Sequence, residues 1–201
     1  MLLQLLASVH DPDVEFESAE EIVSSDVALS YRLLRHVNSA RFGLNRKVDS
    51  IRDTLVFMGM NNVRSMASLF LLGSIEDKPQ DLIQIAMQRA KMCQLLAQAR
   101  KVEDFHPFFT VGLLSTLDAL MDAPLAAVLE ELPLADELRR ALLDLEGDLG
   151  RVLEATLAYE RGDWDRVQQV GMSADAMRSA FLEALEWARA MEEGLAAAAS
   201  E

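Results

Sequence analysis

The sequence predicts an all-α fold, and three observations support that prediction. Apolar residues recur at helical spacing almost everywhere, and no long stretch alternates as a half-buried strand would. The 201 residues include only 9 Gly and 5 Pro, which is little material for the turns of a β fold. Hydrophobic residues make up 51% of the chain, so it has enough apolar surface to bury a core.

Capping residues set the helices of the first half. Ser18 with Glu21 and Ser50 with Asp53 are spaced as capping boxes, and Asn61 is also a suitable cap. The helices predicted from these caps and from the apolar spacing lie at Met1–Val9, Ser18–Ser24, Asp26 to about Gly43, Ser50–Gly59 and Asn61–Leu72. The helix that starts at Asp26 is amphipathic, with an apolar face formed by Val27, Tyr31, Leu34 and Val37.

The second half contains longer helices first and shorter ones after them. Leu82–Lys101 predicts a long amphipathic helix, and Phe105–Met121 predicts a largely buried one that opens at His106-Pro107. Beyond Asp122 the composition shifts to Ala, Leu, Glu, Asp and Arg. Short helices are predicted there at Leu125–Leu132, Ala135–Leu145, Leu149–Glu160, Trp164–Val170 and from Ser173 onward. We therefore divide the chain into a compact helical core at 1–122 and an acidic helical part of the same domain at 123–201, packed on that core.

Charge and cysteine content limit the partners. Lys and Arg total 19 against 33 Asp and Glu, a net charge of -14, which repels nucleic acid and anionic lipid. We expect neither as a partner. Cys93 is the single cysteine, so no internal disulfide forms. The stretch Met1–Leu6 has no basic residue typical of a signal peptide, and Met66–Ile75 is too short to span a bilayer. A cytoplasmic location follows as an expectation.

The chain contains no motif of an active site. The histidines, His10, His36 and His106, are far apart in sequence, and no nucleophile elbow or phosphate-binding glycine loop is present. Glu103 and His106 have the Glu-x-x-His spacing of di-iron sites, but those sites need two such motifs and further carboxylates. We therefore predict no cofactor, no metal and no catalytic residue.

One segment departs from the acidic whole. Between Tyr31 and Arg52 the basic residues are Arg32, Arg35, Arg41, Arg46, Lys47 and Arg52, opposed mainly by Asp49. Such a basic face could dock an anionic partner surface or a phosphate ligand. Alternatively, these side chains pair with the abundant carboxylates of the chain itself. Both interpretations stay open on the sequence.

Two consecutive stretches resemble a known family. Asp26–Gly43, which includes Asn38-Ser39-Ala40, and Val48–Gly59, which ends in Met-Gly, resemble the HDOD domain, an HD-related output domain of bacterial signalling. The residues that match the family pattern are Asp26, Ser30, Leu34, Asn38, Ser39, Ala40 and Gly59. The chain resembles more closely the HDOD domains at the C-terminus of proteins with an N-terminal EAL domain, in the stretches Leu2–Leu6, Arg89–Cys93, Arg161–Trp164 and Ala184–Ala188. Asn38 would serve either as a helix cap or buried polar tie or as a direct partner contact.

The resemblance implies an HD-like fold without its catalytic metal. Catalytic HD phosphohydrolases carry a His-Asp doublet after a Gly-Leu-Leu phrase, whereas Gly112–Leu114 is followed here by Ser115 and Thr116. Hydroxyl groups do not replace an imidazole and a carboxylate as metal ligands. The predicted helix at Leu82–Lys101 also lacks the histidine expected as the first ligand, although Asp118 remains.

These implications lead to a non-catalytic output domain that regulates or relays a cyclic di-GMP module through protein–protein contact. A further hypothesis is that the basic stretch around Arg41 and Arg46 binds cyclic di-GMP itself. Its expected partner is an EAL domain in the same chain or another signalling protein in trans. One alternative is a residual metal-dependent phosphohydrolase with ligands rebuilt from Glu103, His106 and Asp118. The other is a homodimerisation scaffold that uses the apolar residues of the last helix, namely Phe181, Leu182, Leu185 and Trp187.

Overall fold

The computed structural model describes residues 15–25, 27–38, 48–72, 78–132 and 134–199. Every regular element in these ranges is a helix, which confirms the all-α prediction. The chain divides into two compact units. One holds the described part of residues 1–76 and residues 130–134, and the other holds the described part of 77–129 and 135–201. The predicted division at residue 122 was drawn on composition, and it stays a prediction.

The first unit is built from α1 to α4, which are Phe16–Ser24, Val27–Val37, Ile51–Met58 and Met60–Leu72. Helix α2 contacts α1, α3 and α4, and it buries Leu29, Leu33 and Val37. The predicted apolar face is wrong at Val27 and Tyr31, which are 81% and 50% exposed, whereas Leu34 is half-buried and Val37 is buried. The helix carries apolar residues on more than one side, and the packing of α3 and α4 buries the side that includes Leu33.

The caps of the first unit were predicted with mixed success. The Ser50 Oγ accepts a hydrogen bond of 3.0 Å from the backbone N–H of Asp53, so the predicted N-cap of α3 is confirmed. The start predicted at Ser18 is wrong, since α1 begins at Phe16, and Asn61 lies inside α4, which begins at Met60. The predicted helix at Met1–Val9 lies outside the described residues.

The second unit contains longer helices around a buried centre. Its elements are α5 Gln80–Ala99, α6 His106–Leu114, α7 Leu117–Met121, α8 Leu125–Glu130, α9 Asp136–Asp144, α10 Gly147–Glu160, α11 Trp164–Gln169 and α12 Ala174–Ala199. Helix α5 packs against α6, α10 and α12, and α10 also contacts α9 and α11. Every residue from Phe108 to Leu114 is buried, so α6 is largely buried, as its sequence predicted. The predicted C-terminal helices are confirmed, most with ends within two residues.

The prediction of one helix at Phe105–Met121 is wrong at a single point. The chain leaves the helix at Ser115 and Thr116 and resumes it as α7. There the Ser115 Oγ donates to the carbonyl oxygen of Gly112 at 2.7 Å, and the Thr116 Oγ1 donates to that of Leu113 at 2.8 Å. Hydroxyl groups that bond nearby carbonyls compete with the helical ladder, which accounts for the break.

Candidate functional site

The residues that match the family pattern make local contacts wherever the structure describes them. The Ser30 Oγ donates to the carbonyl oxygen of Val23 at 3.0 Å, and Leu34 is half-buried. Gly59 ends α3 with φ of 79° and ψ of 153°, a backbone region that is essentially restricted to glycine. Asp26, Ser39 and Ala40 lie outside the described residues.

Asn38 joins two points of the chain that are ten residues apart. Its Nδ2 donates to the carbonyl oxygen of Val48 at 2.6 Å, and its Oδ1 accepts from the N–H of Val48 at 2.8 Å. The Nδ2 also donates to the carbonyl oxygen of Leu34 at 2.8 Å. A carboxamide presents a donor and an acceptor side by side, so it pairs with a peptide group as another peptide would. This geometry is that of a local polar tie, but Asn38 is exposed, so the expected burial of the tie is wrong. The partner contact stays a prediction.

The described members of the basic face are engaged within the first unit. The Arg32 Nη1 donates to the carbonyl oxygen of Phe70 at 3.0 Å, which satisfies an acceptor in the last turn of α4. Arg52 lies 3.2 Å from a Glu20 carboxylate oxygen and 4.0 Å from one of Glu17. Arg35 is half-buried. These contacts favour intramolecular pairing for Arg32 and Arg52. Arg41, Arg46 and Lys47 lie outside the described residues.

A charged cluster surrounds Ser115, one of the two positions to which the resemblance assigns the doublet. The Arg89 guanidinium forms two bonds with the Glu160 carboxylate, from Nε at 3.0 Å and from Nη2 at 2.8 Å. Its Nη1 donates to the Ser115 Oγ at 2.9 Å. We call Arg89, Glu160 and Ser115 the Arg89 cluster. The side chains of Arg89 and Glu160 are only 13% and 24% exposed, so the pair is largely shielded from water.

The backbone is shaped to hold this cluster. A Cβ atom on Gly112 would lie 2.7 Å from the Ala90 Cα and 2.7 Å from the Arg89 carbonyl oxygen. Only glycine therefore permits this approach of α6 to α5. The contact places the end of α6 beside the residue that carries the guanidinium. Sequence reasoning missed both Arg89 and Glu160 as site residues, because nothing in either neighbourhood indicates that they pair.

The donor set does not fit the divalent metal that the phosphohydrolase-like fold implies. The cluster offers one carboxylate, and a guanidinium already binds both of its oxygens. Among the described residues, no three His, Cys, Asp or Glu side chains are placed to hold a metal ion. Glu103 and Asp118 are exposed, so the structure does not assemble the ligand set of the phosphohydrolase alternative with His106. Of the other histidines, His36 packs edge-on against Phe70, and His10 lies outside the described ranges.

Cys93 lies in the core of the second unit. Its Sγ is 3.4 Å from the Thr156 Oγ1, which in turn donates to the carbonyl oxygen of Val152 at 2.9 Å. Burial raises the pKa of the Cys93 thiol to about 12. The hydrogen bond with Thr156 lowers this pKa, but by less than burial raises it. A thiol with so high a pKa is a poor nucleophile, so Cys93 is a packing residue.

Most of the apolar residues proposed for a dimer face already have contacts within the second unit. The Trp187 ring packs edge-on against Phe109 with a centroid distance of 5.8 Å, and the Lys91 Nζ lies 5.7 Å from its centroid. Phe181 contacts Tyr159 at a centroid distance of 5.2 Å, and Leu185 is half-buried. Leu182 is 53% exposed. The homodimer stays a prediction, and the exposed apolar face available for it is smaller than the sequence indicated.

Comparison with known proteins identifies the family. Residues 1–146 match the HDOD domain, and the chain belongs to the HDOD family. The resemblance seen in Asp26–Gly43 and Val48–Gly59 is thereby confirmed.

Two curated relatives extend the match to almost the whole chain. Cyclic di-GMP phosphodiesterase CdgJ of Vibrio cholerae is 35% identical over 193 residues, which is 93% of this chain and 45% of that protein. The uncharacterized protein YuxH of Bacillus subtilis is 28% identical over 190 residues, 92% of this chain and 46% of that protein. The chain thus spans less than half the length of these two relatives.

Solved structures support the HD-like fold. A crystal structure of a "Putative phosphohydrolase" from Shewanella amazonensis has a TM-score of 0.66 at 20% identity, covering 96% of this chain and 91% of its own. A "Putative signal transduction protein" from Marinobacter aquaeolei has a TM-score of 0.64 at 17% identity, covering 98% of this chain and 58% of its own. At these identities the likeness concerns the fold alone.

Among the described residues, none of the helices has both the length and the hydrophobicity that a membrane span requires.

Proposed function

We propose that this chain is a non-catalytic signalling output domain that regulates or relays the state of a cyclic di-GMP module through protein–protein contact. The observation that carries the proposal is the Arg89 cluster, where a hydroxyl and a closed ion pair stand at the expected place of metal ligands. Without a Lewis acid and an activated water, a phosphodiester has no route to hydrolysis in this type of site.

The relative CdgJ supports the choice of partner. It is called a cyclic di-GMP phosphodiesterase, and this chain matches 45% of its length. That relation supports assigning the hydrolytic chemistry to a separate EAL domain, with the HDOD part as its regulator in cis or in trans. The compartment that suits such a partner is the cytoplasm.

Val27 and Tyr31 support a contact surface on the family signature itself. They are spaced four residues apart on one side of α2, and they are 81% and 50% exposed. Exposed aromatic and aliphatic side chains of this kind are typical anchors of protein interfaces. The surface defined by Val27 and Tyr31 is therefore the one we assign to the EAL partner.

Two assays test the proposal. The purified chain alone, with Mn²⁺ or Mg²⁺, should hydrolyse cyclic di-GMP no faster than buffer. Titrated onto an EAL-domain phosphodiesterase from the same bacterium, it should bind by calorimetry and change the rate of hydrolysis. Y31A should weaken that binding by about tenfold. L182A, which changes an exposed apolar residue of the other unit, is the matched control and should bind as the natural chain does.

Three results would contradict the proposal. Metal-dependent turnover by the chain alone would make it an enzyme. Absence of binding to any EAL domain of the bacterium would remove the partner. If L182A lost binding and Y31A kept it, the interaction would lie on α12, the helix that the dimerisation alternative uses. Light scattering would then show whether the chain forms dimers.

A further inference from the structure

The Arg89 cluster contains more directed hydrogen bonds than the absence of metal ligands alone would explain. A site that has only lost its ligands would hold small polar side chains and water. Here all three nitrogens of the guanidinium are used, with Nε and Nη2 on Glu160 and Nη1 on Ser115. An arginine that makes this many directed bonds while only 13% exposed fixes the groups around it.

We propose that the Arg89 guanidinium is the resident cation of this site: it connects the helices that a metal would otherwise connect, and it keeps divalent cations out. Arg89 lies on α5, Ser115 follows α6, and Glu160 is the last residue of α10. One side chain thus ties three helices. The inference rests on the proposed function, because a metal-dependent enzyme would need the place that Arg89 takes.

Charge explains the exclusion. A divalent cation is bound tightly only where several carboxylates or imidazoles surround it. The single carboxylate here is neutralised by a two-point bond to a permanent positive charge. A dication placed near Glu160 would meet the guanidinium at close range in a site that holds little water, where like charges repel strongly. Missing ligands and an opposing charge therefore act together.

The backbone makes the substitution possible at short range. Gly112 lets α6 approach α5 so closely that an added Cβ would lie 2.7 Å from the Arg89 carbonyl oxygen. The Ser115 Oγ also donates to the Gly112 carbonyl oxygen at 2.7 Å, which directs its lone pairs toward Arg89. The guanidinium consequently reaches an acceptor on α6 and another on α10 without leaving α5.

Restoring metal binding tests the inference. The variant R89H/S115D replaces the guanidinium by an imidazole and the hydroxyl by a carboxylate, which gives three candidate ligands with Glu160. S115D alone adds the carboxylate but keeps Arg89. R100H adds a histidine directly after α5, beside Asp148, and controls for the new imidazole. Each protein is titrated with MnCl₂ in a calorimeter, its metal content is measured after dialysis, and circular dichroism checks its fold.

We expect R89H/S115D to bind about one equivalent of Mn²⁺, with an unfolding midpoint that rises by about 5–10 °C at a hundredfold excess over Kd. S115D, R100H and the natural chain should show no saturable binding. Mn²⁺ binding by S115D as tight as that of the double variant would overturn the inference, because Arg89 would then not be what excludes the cation. A folded double variant that binds no metal would overturn it as well.

The natural chain decides the matter if the double variant does not fold. Neither MnCl₂ nor a chelator should move its unfolding midpoint by more than about 1 °C. A saturable rise with Mn²⁺ would overturn the inference. Failure of the proposed function is a separate result, since that appears in the assays with cyclic di-GMP and the EAL domain rather than in metal binding.

Discussion

The two units of this protein each contain an arginine–glutamate contact, and the two contacts differ in kind. In the second unit, Arg89 and Glu160 form a two-point bond, and their side chains are 13% and 24% exposed. In the first unit, Arg52 approaches Glu20 at 3.2 Å, with side chains 57% and 30% exposed. Exposed pairs contribute little because water and salt screen them, whereas a shielded pair strongly destabilises the protein when one partner is lost.

The comparison also shows how a sequence misleads about its own charges. Arg52 belongs to a run of basic residues that stands out in an acidic chain, while Arg89 lies in an ordinary amphipathic helix. The segment with the higher density of basic residues thus contains the exposed contact, not the shielded one. Burial and geometry, which decide the energetic weight of a charge, are properties of the packed helices.

Removing the shielded arginine should give the largest effect. R89M keeps the length of the side chain but leaves Glu160 without its cation and Ser115 without its donor. We expect a loss of about 2–3 kcal/mol in the free energy of unfolding, below the range for fully buried pairs because Glu160 retains some solvent. Urea unfolding measures it. A loss under about 0.5 kcal/mol would make the two contacts equivalent.

The close helix approach should be nearly as sensitive. G112A places a Cβ at 2.7 Å from backbone atoms of Arg89 and Ala90, which cannot move independently of α5. We expect destabilisation of about 2 kcal/mol from the resulting strain. G162A is the control, since its Cβ meets nothing within 4 Å, although its φ of 72° also strains alanine. Equal losses in both variants would show that backbone conformation rather than the close approach dominates.

Alkaline pH should weaken the second unit through Cys93. Burial raises the pKa of this thiol from 9.0 to about 12, so between these values the folded chain holds a proton that the unfolded chain releases. Stability therefore falls as pH rises above 9, by up to about 1.4 kcal/mol per pH unit. C93A should show a shallower slope in this range. Identical slopes for both proteins would mean that Cys93 does not contribute.

The polar tie of the first unit should have a smaller effect. N38A removes the bonds from the side chain to Val48 and Leu34, all at an exposed position. We expect a loss of about 1 kcal/mol, because water replaces part of what is lost. N38D keeps the acceptor for the Val48 N–H and should recover part of it. If Asn38 instead contacts the partner, N38A would reduce the free energy of binding to the EAL domain by more than it reduces the free energy of unfolding.

The exposed ion pair should show the smallest change. R52M removes the contacts with Glu17 and Glu20, and we expect less than about 0.5 kcal/mol in urea unfolding. The small effect should shrink further in high salt, where surface charges are screened. A loss as large as that of R89M would contradict the distinction between the two contacts.

The helical class, the Ser50 cap, the burial of α6 and the family could all be predicted from the sequence. These follow from local features: apolar spacing, a hydroxyl three residues before an N–H, and a run of family-specific residues. The assignment of Ser115 and Thr116 to the doublet position of the catalytic relatives also comes from the sequence, and it stays a prediction.

The buried face of α2 and the pairing of Arg89 with Glu160 depend instead on the tertiary structure. Val27 and Leu33 are both apolar, and the packing of the neighbouring helices buries Leu33 and leaves Val27 exposed. Arg89 and Glu160 are 71 residues apart, and their pairing depends on the close approach at Gly112 and on the packing of α10 against α5. Contacts between residues so distant in sequence arise from the sum of many packing interactions, so no local pattern records them.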